Sequence, residues 1–204
     1  MRKTIYIFLS LFLISCVVNA ETLTGVTERG VTWSYDGDVV NGKPHGQGTQ
    51  LFPKYKYVGD FKNGRFHGNG TYTYHGWFVY VGEWRNGKRN GHGIETQFDG
   101  MTIDSQWKDG KANGEGVVTL ADGSKYIGKI MDDRLHGKGI YRYADGMIYD
   151  GEWENSNFVS GTLTNPDGSK YFGEFMENKI YDGVQYDKDG NPVAKFYEGK
   201  NYTD

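Results

Sequence analysis

Histidine is the first residue type here that could do chemistry, because imidazole is the commonest metal ligand in proteins and the chain contains five. His45, His67 and His136 each lie ten residues after a tyrosine, at the same position of a recurring pattern. If the pattern is a stack of strand pairs, equivalent positions are two strands, about 9–10 Å, apart. Zinc holds its ligands at about 2.1 Å. We therefore expect no metal site, and interpret these histidines as residues of Gly-rich turns.

Carboxylates form a second candidate set, three residues after the tyrosine of five units. A general acid and base would need two carboxyl groups about 5–9 Å apart in different environments. An evenly spaced row, interrupted by Gln106 and Lys129, instead indicates a solvated strand face. No Ser or Cys lies in a nucleophile motif, and no glycine loop precedes a helix. The sequence therefore predicts no catalytic residue, no cofactor and no enzyme activity. The acidic positions are Asp38, Asp60, Glu83, Glu152 and Glu174.

A row of cations follows a recurring turn glycine: Lys43, Arg65, Lys88 and Lys111. One interpretation is that these side chains line an edge and meet anionic lipid or cell-wall phosphate. The other is ordinary turn solvation, since acidic residues lie nearby. The whole chain has 23 Lys and Arg against 26 Asp and Glu, a formal charge of −3, which argues against nucleic acid as a partner.

These side chains must be positioned by a repeat of about 23 residues, with starts near 35, 57, 80, 103, 126, 149 and 171. Each unit has the form Tyr-x-Gly-x-large apolar, except that Ile103 and Ser105 replace the Tyr and Gly of one unit. Alternation places the Tyr, Gly and apolar residue on one face, so they are predicted to pack. The columns are Tyr35, Tyr57, Tyr80, Tyr126, Tyr149 and Tyr171; Gly37, Gly59, Gly82, Gly128, Gly151 and Gly173; and Phe61, Trp84, Trp107, Trp153 and Phe175.

Two turns per unit complete the prediction. Asp-Gly, as at Asp145–Gly146, favours a type I′ hairpin turn, and the seventh residue after the Tyr, as at Gly87, favours a left-handed turn. The strands between them should have five to seven residues, and the Gly between two aromatics should leave room for a neighbour's ring. The predicted fold is all-β: an elongated, twisted antiparallel β-meander of about eight hairpin repeats, in which neighbours cover each other.

The N-terminus has a basic start and then an apolar run that ends at Val18-Asn-Ala20. This layout predicts a signal peptide over residues 1–20, cleaved between Ala20 and Glu21, and a single repeat domain over 21–204. The alternative is lipidation of Cys16 within Leu13-Ile-Ser-Cys16. The only Cys of the chain is this one, so an internal disulfide is excluded.

The full repeat, Tyr80-Val-Gly-Glu-Trp-Arg-Asn-Gly-Lys-Arg-Asn-Gly-His-Gly93, resembles the MORN (membrane occupation and recognition nexus) repeat, and the likeness extends over about residues 25–200. The resemblance implies a twisted β-meander with a role in protein assembly or attachment at membranes, without catalysis in the repeats. We expect an exported scaffold, periplasmic or secreted, or alternatively an outer-membrane lipoprotein. Its expected partner is a protein bound across several repeats. The alternative is a cell-envelope module for a lipid head group or cell-wall glycan.

Overall fold

A computed structural model describes residues 19–202, which form one open sheet of seventeen strands with no helix. Each strand pairs antiparallel with the next one in the chain, from β1–β2 to β16–β17. This confirms the all-β meander. The strands are β1 Asn19–Val26, β2 Thr32–Val40, β3 Lys43–Leu51, β4 Tyr55–Lys62, β5 Arg65–Tyr74, β6 Phe78–Arg85, β7 Lys88–Gln97, β8 Thr102–Lys108, β9 Lys111–Thr119, β10 Lys125–Met131, β11 Arg134–Arg142, β12 Ile148–Glu154, β13 Asn157–Thr164, β14 Lys170–Met176, β15 Lys179–Tyr186, β16 Pro192–Tyr197 and β17 Lys200–Tyr202.

The predicted signal peptide up to residue 18, including Cys16, lies outside the described residues. The predicted cleavage site falls at the start of β1. Strands β1 to β15 have seven to ten residues, longer than the predicted five to seven. The reason is that the paired glycines, such as Gly46 and Gly48, lie inside strands rather than in turns.

Type I′ turns occur at the other end of the hairpins from the one we predicted. Asn41 and Gly42 both have positive φ, 52° and 69°, and every repeat has a matching pair in this column. At Asp99–Gly100 only the glycine has a left-handed backbone conformation. The turn there is longer, and it is closed by a hydrogen bond from the Gln97 N–H to the Met101 carbonyl. Both dipeptides tolerate a I′ turn, so the loop length set by the register, rather than the dipeptide, decides the turn type.

The tyrosine column forms the core on one side of the sheet, here the core face. The tyrosines are 0–3% exposed. Tyr57 makes edge-to-face contacts with Phe61 of its own repeat and Trp84 of the next, with ring centroids 5.0 and 5.4 Å apart. The same contact to the next repeat joins Tyr80 to Trp107. Neighbouring repeats therefore cover each other's aromatic residues, as the sequence predicted.

The space above each Gly is filled by the tyrosine of the same repeat and not, as predicted, by a neighbour's ring. A Cβ on Gly82 would lie 2.7 Å from the Tyr80 hydroxyl and 2.5 Å from the Cα of Gly93. Because the two glycines lie opposite each other, the ring folds down over both. This close approach explains why Gly is required two residues after the Tyr.

The tyrosine hydroxyl also hydrogen-bonds to backbone carbonyls of its own repeat. In the fourth repeat, which lacks the tyrosine, a serine hydroxyl makes the equivalent hydrogen bonds. The Tyr35 hydroxyl lies 2.8 Å from the Asp38 carbonyl and 3.4 Å from the Gln47 carbonyl. In the fourth repeat the Ser105 hydroxyl takes the same two positions, 3.0 and 3.3 Å from the carbonyls of Gln106 and Glu115. Ser105 is 2% exposed, so the departure from Tyr-x-Gly keeps the buried hydrogen bonds.

Candidate functional site

Three residues of the acidic column, Asp38, Asp60 and Glu83, have a structural role. The Asp60 carboxylate accepts the backbone N–H of Asn69 at 2.8 Å, and Glu83 accepts that of His92 at 2.9 Å. The strand register shifts beside each of these acids, between Gly59 and Phe61 and between Gly82 and Trp84. The carboxylates thus satisfy N–H groups that the bulges leave outside the ladder. These three carboxylates are therefore more than a solvated row.

Two of the four cations that follow the turn glycine form ion pairs with acidic residues. The Lys88 ammonium lies 3.7 Å from Asp109, and that of Lys111 lies 3.9 Å from Asp132. Each acid is the first residue of the I′ turn in the next repeat. Both pairs are solvent-exposed and add little stability, but they lower the net positive charge of this edge.

The histidines lie in strands rather than turns, which corrects that prediction. His45, His67 and His136 belong to β3, β5 and β11, and the Nδ1 atom of each is buried without a hydrogen-bond partner. Within residues 19–202, no three His, Cys, Asp or Glu side chains come together in a way that could hold a metal ion.

The feature that stands out is a group of aromatic residues beside the loops of the first half of the sheet. We call it the aromatic edge, formed by Trp33, Phe52, Tyr55, Tyr72, Tyr74, Trp77, Phe78 and Phe98. Its rings stack: Phe52 on Tyr55 at 4.5 Å and 18°, Tyr55 on Tyr72 at 5.1 Å and 26°, and Tyr72 on Phe78 at 5.9 Å and 30°. In the core, Tyr57 meets Phe61 and Trp84 edge to face and stacks on Phe66. Burial raises the pKa of Tyr55 to about 12, so its hydroxyl stays neutral.

Two loop tips expose the largest rings of this edge. Trp77 is 68% exposed and Phe98 is 80% exposed. Their loops are adjacent, since the Phe98 N–H donates to the Trp77 carbonyl at 2.9 Å. Val31 and Leu51 are exposed on the preceding loop and strand end. Later loops of this series carry short Asp-Gly turns, such as Ala121-Asp-Gly and Ala144-Asp-Gly, which present no aromatic ring at their tips.

A shallow groove of about 360 Å³ runs along this edge, lined by Phe52, Pro53, Tyr55, Tyr74 and their neighbours. An ion pair ends the aromatic row in the third repeat. The Arg89 guanidinium lies 4.1 Å from the centroid of the Trp107 ring, donates to the Gly110 carbonyl at 2.6 Å and pairs with the nearly buried Glu95. Arg89 and Glu95 replace the apolar pair Phe66 and Tyr72 of the preceding repeat.

Sequence reasoning missed this edge because it treated the repeats as equivalent. A signal was present: the first three hairpin loops lack Asp-Gly, and aromatic residues occupy the position two before the tyrosine only in the first three repeats, at Trp33, Tyr55 and Phe78. Attention to how the repeats differ, rather than to what they share, would have found it.

The fold defines a class of protein: an open antiparallel repeat sheet whose aromatic residues interlock between successive hairpins. The chain belongs to the MORN-repeat family, whose model matches residues 35–55, 57–77, 80–102, 104–125, 126–148 and 149–170. The seventh predicted repeat, from Tyr171, lies outside these matches. Among curated proteins none matches the chain.

One similar solved structure is the SAS-4 (dCPAP) TCP domain of Drosophila melanogaster, in complex with a proline-rich motif of Ana2 (dSTIL). It is 14% identical, the match covers 73% of this chain and 86% of that one, and the TM-score is 0.41. Within residues 19–202, no helix is long and apolar enough to cross a membrane.

Proposed function

We propose that this protein is an exported, non-enzymatic repeat scaffold that binds a protein partner through its aromatic edge. The observation that carries the proposal is the pair of exposed rings on adjacent loops, Trp77 and Phe98. Contiguous exposed apolar surface marks an interaction site, and the few residues that dominate the binding energy at protein interfaces are enriched in Trp and Tyr. The stacked rings beneath these tips are held by one another, so little ordering entropy is lost on binding.

A localised edge changes the expected mode of binding. The sequence suggested weak contacts spread over many equivalent repeats. The exposed rings instead lie on loops of the second and third repeats, so we propose one main contact there, with the remaining repeats holding the edge in a fixed geometry. The experiment therefore compares positions within the sheet rather than deleting repeats.

Repeats four and five supply a matched variant. Phe98→Ala converts Phe98-Asp-Gly into Ala-Asp-Gly, which occurs at the equivalent loops of Ala121 and Ala144, so the turn should be tolerated. A photo-crosslinker at position 98 should capture a protein from the native compartment, and one at position 144 should not. Phe98→Ala together with Trp77→Ser should abolish capture by a crosslinker at Leu51, whose own position is unchanged.

Capture at 144 as efficient as at 98 would refute a local site. Retention of vesicles or glycans, but of no protein, would favour the alternative of an envelope ligand module. Export rests on the N-terminal sequence alone. The intact mass of the protein from the producing cells should correspond to a start at Glu21, whereas a start at Cys16 with added lipid would make it a membrane-anchored lipoprotein.

A further inference from the structure

The fifth repeat reverses the charge on the face of the sheet opposite the core, here the outer face. Where other repeats place an acid, or in one case Gln106, it places Lys129. A lysine cannot accept the bulge N–H that Asp60 and Glu83 accept, so this repeat gives up a stabilising hydrogen bond. Three more cations lie on the outer face of β10 and β11, and all four are exposed: Lys125, Lys129, Lys138 and Arg142.

Lys125 and Arg142 are direct cross-strand partners, so their Cα atoms lie about 4.5–5.5 Å apart. Like charges placed directly opposite each other destabilise a sheet. Their other neighbours in the row carry no charge: Thr119 lies beside Lys125 and Ile148 beside Arg142. The ion pairs within residues 19–202 include neither cation.

In the part of the chain that the structure describes, the acidic residues nearby do not form ion pairs with Lys125 or Arg142. Glu115 and Glu152 lie opposite Lys129 and Lys138, at the other end of the strands. Asp150 lies opposite Ile140 and diagonally next to Arg142, but the ion pairs among the described residues do not join it to Arg142. The carboxylates of the adjoining turns, Asp122 and Asp145, each accept the backbone N–H two residues further on. These turn carboxylates are thus engaged within their own loops.

We propose that Lys125 and Arg142 bind a phosphate-bearing ligand on the outer face. A guanidinium fork and an ammonium side by side supply two positive charges and several donors, which suit a dianionic phosphate better than a singly charged carboxylate. Thr119 adds a hydroxyl in the same row. Ile127 and Ile140, paired across the strands two residues further along, provide an apolar surface for the rest of the ligand. The site is separate from the aromatic edge and does not depend on it.

The fourth repeat supplies the matched variant, because Thr102 and Thr119 occupy the same two columns and are also cross-strand partners. Lys125→Thr with Arg142→Thr should therefore fold, and should melt at the same temperature or higher because a like-charge contact is removed. The control is Lys56→Thr. Lys56 occupies the position equivalent to Lys125 in the second repeat, but its cross-strand partners, Leu51 and Thr73, are uncharged.

Two probes distinguish the sources of phosphate: inorganic pyrophosphate by titration calorimetry, and phosphatidic acid vesicles, whose head group is a phosphomonoester, against phosphatidylcholine vesicles by co-sedimentation. The native chain should bind at least one probe, more weakly as salt rises. The double variant should lose about tenfold or more in affinity, and Lys56→Thr should bind as the native chain does. Pyrophosphate binding alone indicates a soluble phosphate, and vesicle binding indicates a lipid head group.

Absence of binding to both probes would overturn the proposal, as would equal affinities of the native chain and the double variant. Phe98→Ala should leave phosphate binding intact, so failure of the aromatic edge and failure of this site are separable.

Discussion

Two tryptophans that differ in burial give a direct test of the assignment of core and binding surface. Trp84 is 7% exposed and Trp77 is 68% exposed. The Trp84 ring lies 5.3 Å from the centroids of both Phe66 and Tyr80 and 5.4 Å from that of Tyr57. Its Nε1–H donates to the Gly70 carbonyl at 3.3 Å. Trp77 makes one tilted contact, with Tyr74 at 6.5 Å.

Trp84→Ala removes a ring that joins the second repeat to the third. Truncation of a buried aromatic to Ala costs about 3–5 kcal/mol, and the edge-to-face contacts favour the upper part of that range. At about 4 kcal/mol, a chain of this size should melt roughly 8–16 °C lower. Trp77→Ala should change the stability by no more than about 0.5 kcal/mol, as is usual at the surface.

The assay is urea and thermal unfolding, followed in parallel by circular dichroism and tryptophan fluorescence. Two probes are needed because repeat proteins can unfold in parts. The reasoning would be refuted by equal losses of stability for the two variants, or by a greater loss for Trp77→Ala. Partner capture should show the opposite order, with Trp77→Ala impaired and the folded fraction of Trp84→Ala retained.

Three further predictions follow from single contacts. Ile103→Tyr alone should destabilise the fourth repeat, because a tyrosine ring would meet the Ser105 side chain, whereas Ile103→Tyr with Ser105→Gly restores the common pattern; a double-mutant cycle of unfolding free energies should show favourable coupling. Asp60→Ala should cost about 0.5–1.5 kcal/mol through the unpaired N–H of Asn69, and faster amide exchange at Asn69 would verify it. The free energy of unfolding should fall as pH rises from about 10 to 12, because burial raises the pKa of five tyrosines above the unfolded value of 10.0, to about 12, and the protonated folded form is favoured below pH 10; tyrosinate absorbance that rises before unfolding would contradict this. Those five are Tyr35, Tyr55, Tyr126, Tyr149 and Tyr171.

The sequence by itself determined the repeat, the fold class and the core. Strand residues alternate between faces, so Tyr80, Gly82 and Trp84 had to share one face wherever the strand lay. Their recurrence at a constant period then required neighbours to pack on one another. The identity of the buried columns therefore needed no knowledge of which strands pair, or in which register.

Only the tertiary structure decided what depends on register between strands. The bulge beside Glu83 leaves the His92 N–H without a partner in the ladder, and the Glu83 carboxylate accepts it. No local sequence pattern predicts this bulge. Loop length also depends on register, and it is why the I′ turns occur in the Asn41–Gly42 column rather than at Asp99–Gly100, where they were predicted. The adjacency of the Trp77 and Phe98 loops and the pairing of Lys125 with Arg142 join residues 17 to 21 positions apart. Such contacts are fixed by hydrogen bonds between strands, which residue types alone do not specify.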